Sequence, residues 1–332
     1  MAFSTTLSSR WRSAAAVVVS SRFLSTAQRS SPTFLPFPSG VDGLTEEWCD
    51  FTLTASWYIS PDTKVLRFEL PSPIVSLARL SVPSGVKVRA TMARCGTVLD
   101  KSYSPISVPD AEGHVDLLVK EYPSSDAAGG GLGAHLCELH VGSSASMRLK
   151  APRNWGGQAA AAAGLSRNRF HEIVLIGNGT GVAPLYQIAR AVLADPREET
   201  KLRFISAHRT TTDYLLVDEL EEFAARFPQR FVAHAALSCE EHGDGSSCRL
   251  DRTRLAEWLP PAPSSVREEE EEEPPTLAFV VCGTDGFLDD VCGGHVRVAV
   301  PGEVKKKKLQ GKLGGHLAAL GFDDERCVLL KL

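Results

Sequence analysis

Three glycines at alternate positions mark the stretch of this chain that is best suited to hold a phosphate group. Four apolar residues at 173–176 precede Gly177, Gly179 and Gly181, and Pro184 completes the spacing G-x-G-x-G-x-x-P. Glycine lets a backbone approach a pyrophosphate closely, and the first N–H groups of a following helix attract its oxygens. A plain tight turn is the alternative, but a buried strand before the loop and helical periodicity after it favour a nucleotide.

A second candidate stretch lies at residues 101–107, where a cation, an aromatic ring and a hydroxyl group follow one another. On an extended segment, Lys101 would meet a phosphate, Tyr103 would pack against a flat ring, and Ser104 would contact that ring or form a turn before Pro105. An ordinary exposed strand edge that ends at Pro105 is the competing interpretation.

A third candidate is the glycine-rich stretch at residues 129–136. Glycines before a short helix again offer backbone N–H groups to a phosphate, here around Gly130, Gly131, Leu132 and Gly133. Small and polar residues at 124–128 precede this stretch, so a flexible loop is the alternative.

Short strand-like runs surround the second and third stretches, in a body of roughly residues 48–152. The runs lie at 51–59, 64–70, 86–93, 114–122 and 145–150, with proline and glycine between them. Several short strands with regular turns predict a small antiparallel β-barrel. A barrel that precedes a nucleotide loop suggests that it holds a group with which the second domain reacts.

Strands and helices alternate in the C-terminal body, residues 169–332, after a linker at 153–168. Strands are predicted at 173–176, 202–207, 231–237, 277–281 and 327–330, and helices after Pro184 and at 213–227. This alternation predicts a parallel sheet with helices on both faces. The fold class is therefore an antiparallel β-barrel followed by an α/β parallel-sheet domain. Ligands of such sheets lie at the carboxyl ends of the strands, where Gly177, His208 and Cys282 fall.

Taken together, these motifs resemble the ferredoxin-reductase-type flavoproteins, and most closely the NADH–cytochrome b5 reductases. In that family an Arg-x-Tyr-Ser/Thr segment and a glycine-rich turn hold FAD, a G-x-G-x-G-x-x-P loop holds the pyridine nucleotide, and a Cys-Gly motif approaches the nicotinamide. The matching stretches here are 101–104, 130–134, 177–184 and 282–287. Further family-like phrases at 115–123 and 208–216 extend the resemblance over about residues 50–290 plus the tail.

The resemblance implies a reaction and a role for each matching residue. Hydride passes from NADH to flavin N5, and the flavin then releases single electrons to a haem protein similar to cytochrome b5. Ser104 would hydrogen-bond near N5, Thr180 would touch both cofactors, and Cys282 would orient the nicotinamide. The remaining cofactor-binding candidates are Lys101, Tyr103, Pro105, Val119, Tyr122, Gly130, Gly131, Leu132, Gly133, Gly177, Gly179, Gly181, Pro184, His208, Arg209 and Gly283.

The residues themselves do not decide between NADH and NADPH as the electron donor. No acidic residue stands at the end of the second predicted strand of the parallel sheet, where a dinucleotide fingerprint would place one to hydrogen-bond the ribose. His208 and Arg209 stand there instead. Arg209 would either accept the 2′-phosphate of NADPH or lie in a solvated loop. The resemblance favours NADH.

Three departures from the family pattern predict weaker FAD binding and leave two alternative functions. Lys101 replaces an arginine and loses its fork, Gly133 stands at a usual serine, and Thr284 and Asp285 stand where prolines are usual. The Cys282 motif with its basic insert is somewhat more similar to mitochondrial haem-reducing flavoproteins of cytochrome c maturation. A nucleotide-binding or assembly protein without turnover is the second alternative.

The first 31 residues contain four arginines and no acidic residue. This composition predicts a mitochondrial transit peptide, followed by a Pro-rich linker at 32–47. A disordered tail and a plastid transit peptide are the alternative interpretations. Without these residues the formal charge of −4 becomes −8, because four positive charges are lost. The acidic body argues against a nucleic-acid partner.

The eight cysteines form no C-x-x-C pair, and no zinc-ligand spacing occurs, so no metal site is expected.

Two charged inserts interrupt the C-terminal body. Six consecutive glutamates at 268–273 lie within residues 263–275, most simply as a solvated linker. Four lysines, Lys305 to Lys308, lie in the Gly-containing stretch 293–315. A solvated loop is one interpretation of the lysines, and docking to an acidic protein or to anionic lipid is the other. We expect the protein to be a monomer.

Overall fold

The computed structural model describes residues 47–70, 85–91, 96–107, 113–122, 131–149, 168–240, 249–262, 276–299 and 307–332. Several predictions fall outside these ranges: the transit peptide, Gly130, the glutamate run, and the lysines at 305 and 306. No helix within the described ranges is long and apolar enough to cross a bilayer.

Six antiparallel strands form the sheet of the first half, in the order β4-β3-β6-β1-β2-β5. The elements are β1 (Cys49–Ser60), β2 (Thr63–Glu69), β3 (Val86–Thr91), β4 (Val98–Tyr103), β5 (His114–Lys120), α1 (Gly131–Glu138) and β6 (Ser144–Leu149). An antiparallel bridge between Pro105 and Leu117 joins the segment after β4 to β5, so the two outer strands of the sheet meet. Alternate residues of these strands, such as Leu53, Leu66 and Val88, fill one apolar core.

Five parallel strands form the sheet of the second half, in the order β13-β10-β7-β8-β9. The strands are β7 (Glu172–Asn178), β8 (Lys201–His208), β9 (Phe231–Leu237), β10 (Leu277–Cys282) and β13 (Cys327–Lys331). The chain runs outward from β7 to β9 on one side and then returns to β10 on the other. The strand order therefore reverses between β7 and β10, and a ligand crevice opens at such a point.

Helices cover both faces of the parallel sheet, as the alternation predicts. They are α2 (Val182–Ala194), α3 (Val217–Arg226), α4 (Arg252–Trp258), α5 (Asp285–Cys292) and α6 (Gly315–Ala319). Helices α2 and α3 pack on one face, and α4, α5 and α6 pack on the other. The predicted fold class, a barrel followed by an α/β parallel-sheet domain, is confirmed.

Two local features differ from the prediction. The helix predicted at 213–227 begins only at Val217, because Thr211–Asp213 form a 3₁₀ turn and Leu216 has a left-handed backbone with φ of 58°. The stretch 293–315, for which no strand was predicted, contains an antiparallel pair of short strands, β11 (Val296–Val298) and β12 (Lys307–Leu309). The lysine run therefore continues into a strand.

Candidate active site

The glycine loop connects β7 to α2 at the carboxyl edge of the parallel sheet. Gly179–Gly181 form one 3₁₀ turn, and the Val182 N–H donates to the carbonyl groups of Gly179 and Thr180. Among the described residues no side chain caps the N-terminus of α2, whereas Asp251 and Thr284 cap α4 and α5. The positive end of the α2 dipole therefore faces the crevice, as binding of a pyrophosphate requires.

Glycine is required at position 181 because a second loop touches it there. A Cβ atom on Gly181 would lie 2.5 Å from the carbonyl oxygen of Cys282 and 3.2 Å from the Cα atom of Gly283. Cys282 ends β10 and pairs in register with Gly177 of β7. The structure thus brings the predicted nucleotide loop and the predicted Cys-Gly motif into direct contact.

Asn178 joins these two loops, although it was not among the residues predicted to form the site. Its Oδ1 atom accepts a hydrogen bond of 3.2 Å from the backbone N–H of Thr284. A side chain on Gly283 would collide with the same Oδ1 atom and with the ring of Phe287. The only signal in the sequence is an amide side chain between two of the loop glycines.

The departure at Thr284 and Asp285 has a local structural reason. The Thr284 hydroxyl accepts from the Phe287 N–H at 3.4 Å and caps α5. Asp285 accepts from Lys308 Nζ at 2.8 Å and also pairs with Arg297. These bonds and charges lower the pKa of Asp285, the hydrogen bond from Lys308 most of all. The basic hairpin β11–β12 is therefore tied to the loop that follows Cys282.

The FAD candidates of the barrel line the end of β4 and the segment after it. Tyr103 is half-buried against the barrel core, while Lys101 is exposed. Burial raises the pKa of Tyr103, and the neighbouring Cys137 and Tyr122 act in the same direction. The Tyr103 phenol is therefore neutral at physiological pH. Ser104 is half-buried and precedes the buried Pro105.

The glycine-rich turn enters α1 at Gly131, whose backbone φ is +74°. A Cβ atom at Gly133 would lie 2.6 Å from the Lys120 carbonyl oxygen, so this structure leaves no room for the serine that is usual in the family. Leu132 and Val119 are fully buried in the barrel core. Their side chains therefore fill the core of the barrel. Pro184 is likewise buried, in the first turn of α2.

His208 and Arg209 follow β8 and have very different surroundings. His208 is 6% exposed, and its Nε2 atom has no hydrogen-bond partner in the described part of the chain. Burial lowers the pKa of His208 to about 4, although Asp213 acts to raise it. Arg209 is exposed, with 61% of its side chain accessible, and its Nη2 atom lies 2.9 Å from Asp62 Oδ2 and 3.4 Å from Asp213 Oδ1.

The residues present fit two nucleotide cofactors, one on each side of the junction between barrel and sheet. An added Cβ atom at Gly131 or Gly179 would meet open space, so the two glycine turns provide backbone cradles that a ligand can approach. His208, whose buried Nε2 atom has no partner among the described residues, ends the strand that pairs with β7. Strand β5 of the barrel contacts the glycine turn directly, so the two sites are adjacent. Val119, Tyr122 and the glycines of α1 lie on the barrel side, and Gly177 to Gly181 lie on the other.

Comparison with known proteins assigns the same two halves. The Oxidoreductase FAD-binding domain family matches residues 50–154, and the Oxidoreductase NAD-binding domain family matches residues 175–293. NADH-cytochrome b5 reductase 2 of Yarrowia lipolytica is 29% identical over 85% of this chain and 85% of its own length. The protein of the same name from Neosartorya fischeri is 28% identical over 92% of this chain and 84% of its own length.

A solved structure confirms the fold. The cytochrome b5 reductase domain of Ulva prolifera nitrate reductase superposes with a TM-score of 0.64 at 23% identity, covering 86% of this chain and 99% of that domain. The chain is thus a two-domain oxidoreductase that binds FAD in its barrel and NAD in its parallel-sheet domain. Along most of its length it is similar to the NADH–cytochrome b5 reductases.

Proposed function

We propose that this flavoprotein passes single electrons from its flavin to a haem protein of the cytochrome b5 type. The contact between the Gly181 and Cys282 loops beside β5 of the barrel carries the proposal, since it sets a nucleotide site against a flavin site. The names of the relatives supply the class of acceptor. When bound, FAD supplies the chemistry: it accepts a hydride from NADH and releases its electrons one at a time.

The chain's own residues bind and orient the two cofactors. The uncapped N-terminus of α2, with Gly179 and Gly181, holds the pyrophosphate of NADH, and the N-terminus of α1, with Gly131 and Gly133, holds that of FAD. Ser104 would supply a hydroxyl group to the flavin, Thr180 would contact both cofactors, and Cys282 would orient the nicotinamide. No side chain has to exchange a proton, because hydride transfer is direct and orientation supplies much of the rate.

The surroundings of Arg209 support NADH as the donor. Asp62 and Asp213 both contact its guanidinium group, and Lys120 Nζ also lies 2.7 Å from Asp62. A 2′-phosphate at this place would have to approach two carboxylates that already hold the arginine. Two charges of the same sign at short distance repel each other, so this arrangement disfavours NADPH.

A mitochondrial address and a basic docking surface complete the proposal. Residues 1–31 have the arginine-rich, acid-free composition of a transit peptide. The hairpin β11–β12 carries Arg297 and Lys308 beside the Cys282 loop, where an acidic partner or anionic lipid would find cations close to the nucleotide site. A fluorescent protein fused to residues 1–31, and the same fusion with the four arginines replaced by glutamine, tests the address by microscopy.

The first experiment is an anaerobic titration of the purified full chain. Yellow protein that NADH bleaches, and NADPH bleaches poorly, supports the reductase. Re-oxidation by cytochrome b5, slowed by salt as an electrostatic contact requires, supports the acceptor class. Preferential re-oxidation by free haem would instead favour the haem-reducing flavoproteins of cytochrome c maturation. Protein that stays colourless with added FAD would overturn the proposal.

A further inference from the structure

Helix α2 does more than present its N-terminus to a nucleotide, because two of its polar side chains cross to the barrel. Gln187 is 3% exposed, and its Nε2 atom donates a 2.6 Å hydrogen bond to the carbonyl oxygen of Pro105. Pro105 directly follows Ser104, the candidate flavin contact. A buried amide bonded at this distance fixes the separation of the two backbones.

Arg190 lies one turn further along the same helix and holds the next two carbonyl groups. Its Nη1 atom donates to Ile106 O at 2.9 Å, and its Nη2 atom donates to Ser107 O at 2.7 Å. The guanidinium group also lies 5.1 Å from the ring centroid of Tyr186. A planar fork that binds two consecutive carbonyls and rests on an aromatic ring has little freedom to move. We call Gln187 and Arg190 the α2 clamp.

The segment that the α2 clamp holds is also fixed from the barrel side. The Ile106 N–H donates to Asp116 O at 2.9 Å, and Ser107 Oγ accepts from the Asp116 N–H at 3.3 Å. Residues 105–107 are therefore bound to β5 on one side and to α2 on the other. The segment that begins at Ser104 cannot shift relative to the helix unless these bonds break.

The same helix begins at the glycine turn that carries Thr180. Gln187 lies six residues after Gly181, a distance of about 9 Å along a helix. One short rigid element therefore joins the candidate flavin contact to the candidate nucleotide contact. We infer that Gln187 and Arg190 are positioning residues, which set the distance between the Ser104 segment and the Thr180 turn for hydride transfer. This inference rests on the proposed roles of Ser104 and Thr180.

The physical reason is the short range over which a hydride can move. Reacting atoms must lie within about 3–3.5 Å of each other, and a displacement of about 1 Å can lower the rate a hundredfold. Loss of the α2 clamp would leave each binding cradle intact but loosen their relative position. The clamp should therefore affect the rate of flavin reduction more than the binding of either cofactor.

Arg190→Lys tests this in the full chain, because lysine keeps the positive charge but replaces the rigid planar fork by a single ammonium group on a flexible stem. The rate of flavin bleaching at saturating NADH is measured per bound FAD by anaerobic stopped flow. We expect it to fall on the order of tenfold, while FAD content stays equal and the Kd of NADH changes less than about twofold. Gln187→Met, which removes one hydrogen bond, should give a smaller loss of about threefold.

Arg226→Lys is the matched control, since Arg226 makes an exposed pair with Glu222 on α3 and faces neither cradle. Hydrogen exchange of the flavin-free proteins gives a readout that does not depend on turnover. Peptides covering 104–107 should exchange faster in both clamp variants than in the control. Unchanged exchange, or an unchanged rate per bound FAD in both variants, overturns the inference. If NADH does not bleach the unmodified chain, the proposed function fails, while the exchange measurement still decides whether the clamp holds this segment.

Discussion

A single glycine decides how closely α1 approaches the barrel. At Gly133 the missing side chain lets the helix lie against the Lys120 carbonyl group, with 2.6 Å left for any added Cβ atom. The sequence alone predicted that glycine in place of serine weakens FAD binding. The packing gives a different reason for the glycine, because α1 lies closer to β5 than a side chain at position 133 would permit. Gly133 therefore serves the packing of backbone against backbone.

Gly133→Ala should therefore destabilise the protein rather than restore a family feature. Relieving the contact requires a backbone shift, which typically costs about 1–3 kcal/mol, and FAD content should fall as α1 moves. Gly286→Ala is the control, because position 286 lies in α5 with no atom within 4 Å of an added Cβ. That change should be neutral or stabilising by up to about 1 kcal/mol. Urea unfolding and flavin absorbance measure both, and equal stability of the two variants would contradict the packing argument.

Two buried histidines should make stability depend on pH. Burial lowers the pKa of both His208 and His234 from an ordinary value of 6.5 to about 4. Between these values the unfolded chain binds more protons than the folded chain, so stability falls as pH drops from 6.5 to 4. The full effect is at most about 3.5 kcal/mol for His208, since one pKa unit corresponds to about 1.4 kcal/mol, and it is smaller for His234, which is only half-buried.

Substitution of both histidines by glutamine should flatten this part of the stability curve. The comparison that matters is the loss of unfolding free energy between pH 7 and pH 4.5, measured with urea for both proteins. A variant that loses as much stability as the unmodified chain would show that other groups cause the acid sensitivity. His114 is a suitable control, because its Nε2 atom lies 3.9 Å from Asp116 Oδ2, whereas the Nε2 atoms of His208 and His234 are buried without a hydrogen-bond partner among the described residues.

At the scale of elements, apolar patterning predicted the strands that form the two sheets. Continuous runs at 173–176 and 277–281 became β7 and β10, which are buried on both faces. Helices α4, α5 and α6 were missed because they have only five to eight residues, too few for a clear period. Hairpin β11–β12 was missed because Asp285, which forms an ion pair with Lys308 of the hairpin, is distant in sequence.

The candidate site was predictable where glycine spacing or residue type carries the chemistry. Contacts between side chains and distant carbonyl groups were not predictable, since nothing in the sequence shows where a carbonyl group points. Gln187 and Arg190 belong to this class. Asn178 was missed for the same kind of reason, because its Oδ1 atom accepts from the distant Thr284 N–H. Arg209 illustrates the same limit: its type suggested a phosphate ligand, while its partner Asp62 lies 147 positions away.

The turn between β1 and β2 reaches the nucleotide site through Asp62 and should influence the choice of donor. Burial opposes ionisation of Asp62, but hydrogen bonds from Lys120 and Thr63 outweigh it and lower its pKa. Asp62→Asn would leave Arg209 with Asp213 as its one charged partner among the described contacts. The ratio of kcat/KM for NADPH to that for NADH should rise roughly two- to fivefold, as loss of one exposed ion pair permits.

A double variant separates Arg209 from Lys120, the other cation that Asp62 holds. If the freed arginine accepts the 2′-phosphate, Asp62→Asn combined with Arg209→Gln should return the ratio to its starting value. If the gain survives in the double variant, Lys120 is responsible. No change of the ratio in Asp62→Asn would count against any role of this turn in donor choice.

At the scale of the whole molecule, the barrel and the parallel sheet share a core. Val65 and Leu118 of the barrel lie in the same apolar cluster as Phe170, Leu185 and Ile188 of the α/β half. The next residue along β5 in either direction points into the barrel's own core instead. Strand β5 thus contributes one face to each half. Such a shared core, together with the α2 clamp, should make the two halves unfold as a unit.

Leu118→Ala tests this coupling, with Leu117→Ala as a control on the opposite face of the same strand. Both side chains are buried, and each truncation should cost about 2–5 kcal/mol. Leu117→Ala weakens only the barrel core, so calorimetry should show one transition at a lower temperature. Leu118→Ala weakens the shared core, so the transition should broaden or split, and hydrogen exchange should show one half opening before the other. A split in the Leu117 variant alone would mean that the halves are held together by the barrel's integrity rather than by their common core.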